Sequence, residues 1–73
     1  MDQREMIYGV CDKTGSSDSY FGFFKNEKDA EHEVETQANR LKEDLGMMGI
    51  DIQTDRALFN GKLVVVIHRY VLR

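Results

Sequence analysis

The sequence predicts an α+β fold, β-β-α-β-β in order, with a four-stranded, mostly antiparallel sheet and one amphipathic helix packed on one face. Three features predict it. Ala30, Val34, Ala38, Leu41, Leu45 and Met48 recur at steps of three and four, which makes one apolar helical stripe. Asn60-Gly61 lies between two apolar-rich runs and is the pair that best tolerates the positive φ of a type I′ hairpin turn. Two short runs rich in aromatic and β-branched residues precede the stripe, as strands would.

The first strand is expected over residues 5–11 (Glu-Met-Ile-Tyr-Gly-Val-Cys), followed by a polar loop over 12–19 and an aromatic strand over 20–24. The helix is expected over 27–47. Asn26 stands where an N-cap belongs, Glu27, Asp29 and Glu31 put negative charge near its start, and Gly46 and Gly49 supply the stop. If Asn60-Gly61 forms the loop of the closing hairpin, Phe59 pairs with Lys62 and the register runs on to place Leu58 opposite Leu63 and Ile52 opposite Arg69. One face then carries Ile50, Ile52, Leu58, Leu63, Val65, Ile67 and Val71, the expected core face. The other carries Ala57 and Phe59 with Val64, Val66, His68 and Tyr70, and Gln53 beside them. The strand from Lys62 to Leu72 is apolar on both faces for most of its length and is expected at the centre of the sheet.

With 73 residues the chain is read as a single domain, 1–73, whose core is marginal at that size, so self-association is an expected source of support. It contains no proline, no repeat and no low-complexity stretch. Cys11 is its one cysteine, so no internal disulfide forms, which fits a reducing, cytoplasmic setting. His32 and His68 do not stand at zinc-ligand spacing to it, and no metal or other cofactor is expected. The polar start, Met1-Asp2-Gln3-Arg4-Glu5, is unlike a signal peptide, and the longest apolar run, Leu63 to Ile67, is far too short to span a bilayer. A net charge of -3 disfavours a broad electrostatic grip on phosphate backbones.

Several motifs bear on chemistry. Cys11-Asp-Lys-Thr-Gly15 resembles the opening of the aspartyl-phosphate motif of P-type ion-pumping ATPases, but Ser16 and Ser17 depart from it, and the large catalytic domain that motif needs does not fit in this length. An EF-hand loop starting at Asp12 would need glycine and glutamate where Ser17 and Phe23 stand. Cys11 and His68 could pair as nucleophile and base, yet no third group is evident, and the chain is expected to be no enzyme. Tyr20-Phe21-Gly22-Phe23-Phe24, followed by Asn26-Glu-Lys-Asp-Ala30, resembles the third strand and second helix of RNA-recognition-motif domains. That resemblance implies single-stranded RNA binding, with Phe21 and Phe23 stacking on bases and the hairpin's Lys62 and Arg69 supplying positive charge.

In overall form the chain resembles small orphan proteins encoded by bacteriophages and prophages. The likeness lies in the Ile7-Tyr8-Gly9-Val10 strand, the aromatic strand running into a charged helix, and the closing hairpin. It implies a stoichiometric inhibitor of host machinery or defence, of the kind that includes anti-CRISPR proteins. Two surfaces could serve a protein partner. Glu27, Asp29, Glu31, Glu33 and Glu35 form an acidic run opposed only by Lys28, with Asp29/Glu33 and Glu31/Glu35 as like-charge pairs, and would suit a partner with a basic surface. On the outer sheet face, Val64, Val66 and Tyr70 beside His68 and Gln53 form an apolar row suited to a homodimer or a docked partner.

Overall fold

A computed structural model describes residues 5–15 and 17–72. Its elements are β1 (Glu5–Asp12), β2 (Ser19–Phe24), α1 (Glu27–Asp44), β3 (Asp51–Ile52), β4 (Arg56–Phe59) and β5 (Lys62–Leu72). The strands form one sheet in the order β2-β1-β5-β4-β3, and every neighbouring pair is antiparallel. The α+β class and the central position of β5 are as expected. The sheet has five strands rather than four.

The extra strand arises where a single strand was expected before the Asn60-Gly61 turn. The chain folds back at Gln53-Thr54-Asp55-Arg56, and the Gln53 N–H donates to the Arg56 carbonyl at 2.8 Å. Ile52 therefore pairs with Ala57 of β4 and not with Arg69. These four residues are all polar, and polar residues that bond to local backbone favour turns; no glycine or proline marks this one in the sequence.

The Asn60-Gly61 turn forms as expected, with φ of 54° and 79°. Phe59 lies opposite Lys62, and Leu58 opposite Leu63. The next pair is Ala57 with Val65, so Val64 has no partner on β4 and forms a β-bulge. The bulge reverses the expected faces near the turn. Ala57, Phe59 and Val64 pack toward the helix, whereas Leu63 is exposed.

Asn26 caps α1, its side chain accepting a hydrogen bond from the Lys28 N–H at 2.9 Å. The helix stops at Asp44, short of the expected 47. Leu45 and Met47 direct their N–H groups to the Leu41 carbonyl, and Gly46 takes a φ of 68° that ends the turn. Ala30, Val34 and Ala38 are fully buried against Val10, Ala57, Val65 and Ile67, with Leu41 partly buried. Leu45 and Met48 leave the expected stripe, because the helix has ended before they could reach the sheet, and both are exposed. At the start of the helix, Arg69 of β5 donates from Nη2 and Nε to Glu27 Oε2 at 2.9 and 3.2 Å, fastening α1 to the sheet.

One end of the sheet thins to two strands. Glu5–Ile7 pair only with β5, and residues 68–72 pair only with β1, because β4 pairs no further along β5 than Val66. The molecule measures 47 × 23 × 19 Å along its principal axes. Among the described residues, no helix is long and apolar enough to cross a membrane.

Candidate functional site

The helix covers one face of the sheet and leaves the other open. Strand alternation places Ile7, Gly9 and Cys11 of β1 on the open face, opposite Tyr70, His68 and Val66 of β5. From β2, Phe23 lies opposite Gly9 and Tyr20 opposite Cys11. Cys11 and Val66 are buried there, outside the core cluster beneath the helix. Above them stands an exposed aromatic group.

Tyr20 and Phe23 stack with ring centroids 4.8 Å apart and planes 23° from parallel. The stack depends on glycine at position 9. A Cβ there would come within 2.8 Å of Tyr20 Cε2 and 3.0 Å of Phe23 Cε1, so the absence of a side chain on β1 lets both rings lie against the strand. Tyr20 crosses β1 to reach β5, where its hydroxyl hydrogen-bonds to His68 Nδ1 at 3.1 Å and to the Tyr70 hydroxyl. His68 also meets Tyr20 and Tyr70 edge to face, at centroid distances of 6.0 and 6.4 Å. The hydrogen bond to Tyr70, with partial withdrawal from water, pushes Tyr20 up to about 12. Two strands and three polar tips thus hold the rings in one arrangement, while Tyr20, Phe23 and Tyr70 remain 36, 58 and 42% exposed.

Among the described residues, two basic groups near this face are paired with carboxylates. Arg56, opposite Val66, bonds to Asp55 through Nε at 3.1 Å, and Lys13 bonds to Asp18 at 3.0 Å. The Asp18 carboxylate holds the Lys13 ammonium above its ordinary value. Burial pushes the Cys11 thiol up, with Asp18 adding to the effect, which is the wrong direction for a nucleophile. No hydrogen bond joins Cys11 to His68 among the described residues, and His68 Nδ1 is engaged by Tyr20.

The residues expected to form the outer apolar row separate. Val64 is buried beneath the helix by its bulge, and Val66 is only 9% exposed, so neither offers a surface. His68 and Tyr70 do belong to the open face. Gln53 lies at the β3–β4 turn, donating to Asp51, in a groove shared with Lys28, Glu31, His32 and Glu35 on the helix side of the molecule. The acidic run also divides. Glu27 is bonded to Arg69, Glu33 accepts from Gln37 at 2.6 Å, Glu31 and Glu35 line that groove, and Asp29 is exposed.

The residues expected for RNA binding do not converge either. Phe23 is on the open face, and Phe21 is the unpaired residue of a bulge in β2. Lys62 lies at the far hairpin turn, and Arg69 faces the helix, bonded to Glu27 and 3.8 Å from Asp55. Sequence reasoning missed Tyr20 and Gly9 as members of the site. The available signal was a glycine in a β-branched and aromatic strand, which marks close approach by another group. Comparison with protein-family models, with curated protein sequences and with solved structures found no match to this chain.

Proposed function

We propose that the chain is a non-catalytic binding module that docks a protein partner, one to one, through the open aromatic face of its sheet. The observation that carries this reading is the Tyr20–Phe23 stack over Gly9, fixed to His68 and Tyr70 yet exposed. Aromatic side chains held in place before binding lose little freedom when a partner covers them, and such residues commonly dominate interface energetics. The face favours a protein over a nucleic acid, because two neighbouring cations, Arg56 and Lys13, are already matched by carboxylates. The partner surface that fits is apolar at its centre, with polar groups able to reach His68 and the tyrosine hydroxyls.

Photo-crosslinking tests this directly. A benzophenone amino acid replacing Phe23 should give a discrete protein adduct in cells of the source organism, whereas the same group replacing Glu35 on α1 should give none. Adducts from position 35 alone would transfer the docking surface to the acidic helix. Nuclease-sensitive adducts from position 23 would support the RNA-binding alternative instead.

A further inference from the structure

We infer that residues 68–72 of β5 form a self-pairing edge, through which two copies of the chain join their sheets about a two-fold axis at Tyr70. β5 is central along most of its length, but among the described residues no strand flanks 68–72 on the β4 side. The direction of the free backbone groups follows from the ladder. The Ile67 N–H donates to the Asp55 carbonyl at 3.0 Å, so Ile67 points its main-chain groups toward β4. Antiparallel strands alternate in this respect, so Arg69 and Val71 direct their N–H and C=O groups to the same, open side.

A second copy laid antiparallel about Tyr70 places Arg69 opposite Val71 of the other copy, and Val71 opposite its Arg69. Both pairs are then hydrogen-bonded pairs, and every donor and acceptor that Arg69 and Val71 present to that side is matched. No like charges face each other in this register. The two Tyr70 residues form the close, non-hydrogen-bonded pair at the centre, with both side chains on the face that bears Tyr20, Phe23 and His68. The dimer would join the two aromatic faces into one surface, with both helices on the opposite side.

Of the other open stretches, Glu5–Ile7 on the β2 side of β1 is only three residues long and begins with a carboxylate. β2 carries a bulge at Phe21, and β3 is two residues long, both devices that discourage pairing. Residues 68–72 have no proline and no lysine, and their register with β1 is regular. An uninterrupted open edge of this kind is a template for strand addition.

Sedimentation equilibrium of the full chain tests the inference, with the wild type compared against Val71→Pro, Val71→Lys and Val71→Glu. Proline removes an N–H aimed at the open side and leaves the ladder to β1 in place, so it should weaken the dimer at least tenfold. Val71→Lys sets a cation opposite Arg69 at both symmetric pairs and should also weaken it at least tenfold. Val71→Glu sets a carboxylate there and should hold or tighten it. Should Val71→Pro fail to fold by circular dichroism, the opposite responses to lysine and glutamate still decide. A wild type that stays monomeric at high concentration overturns the inference, as does a dimer indifferent to these substitutions. Crosslinking from position 23 does not depend on this edge, so either idea can fail alone.

Discussion

Val66→Lys should remove a large part of the molecule's stability margin. Val66 is only 9% exposed, on the face away from the helix and opposite the fully buried Cys11. An ammonium there loses hydration without an unpaired carboxylate beside it, since Asp55 is already bonded to Arg56, which holds its carboxyl below the usual range. A chain of 73 residues has a total stability of about 4–11 kcal/mol. A loss of about 3 kcal/mol or more is expected, typical of a buried unpaired charge. At this size that lowers Tm by about 12 °C or more in a thermal melt followed by circular dichroism. A melt within about 2 °C of wild type would mean that position 66 is open surface, contrary to the burial described here.

Gly9→Val should remove the docking face while leaving most of the fold. The first atom of the new side chain would meet Tyr20 and Phe23 at 2.8 and 3.0 Å, well inside ordinary contact, and two methyl groups follow it. The rings are the mobile party, so the stack should swing away and Tyr20 should lose its bonds to His68 and Tyr70. The better strand propensity of valine offsets part of the strain, and the net stability change should stay within about 1–2 kcal/mol.

The clearest readout of that change is tyrosine ionisation, followed by ultraviolet absorbance. In the wild type the folded state favours neutral Tyr20. Its contribution to stability is therefore whole below the ordinary tyrosine value near 10, and is lost as pH rises through about 12. In Gly9→Val that late titration should return toward the ordinary range, and the yield of protein adduct from position 23 should fall at least tenfold. A Tyr20 that still titrates near 12 in the variant would show that the stack does not depend on the glycine.

Most of the fold was legible because its signals are local. Asn26, the Ala30–Val34–Ala38 stripe and Asn60-Gly61 each act within a few residues, and all three formed as read. The errors arose where one residue's displacement changed everything beyond it. Nothing in the letters Leu63-Val-Val-Val66 distinguishes a bulge from a regular strand, yet the bulge at Val64 moved Ala57 and Phe59 to the buried face and Leu63 to the surface. The Gln53–Arg56 turn was hidden for a similar reason, since it lacks glycine and proline.

The site was half legible. In the sequence Phe23 stands out through the resemblance to RNA-recognition motifs, and His68 and Tyr70 through strand alternation, which assigns them to two different surfaces. Bringing them together required knowing that β1 lies between β2 and β5, and that Gly9 leaves room for Tyr20 to cross it. The acidic run was easy to see in sequence, but its unity was not real in space. Arg69, distant in the chain, engages Glu27, and β3 turns beside Glu31 and Glu35.

A pair of titrations against the partner recovered by crosslinking separates the two faces. Phe23→Ala removes an exposed ring from the open face, and the double charge reversal Glu31→Lys with Glu35→Lys alters the helix side. Phe23→Ala should weaken binding at least tenfold, about 1.4 kcal/mol, as expected for the loss of one aromatic anchor. The charge reversal should change affinity by less than about twofold, with little change in its dependence on salt. The opposite pattern, with the reversal abolishing a salt-dependent interaction and Phe23→Ala without effect, would contradict the account and place the docking surface on α1.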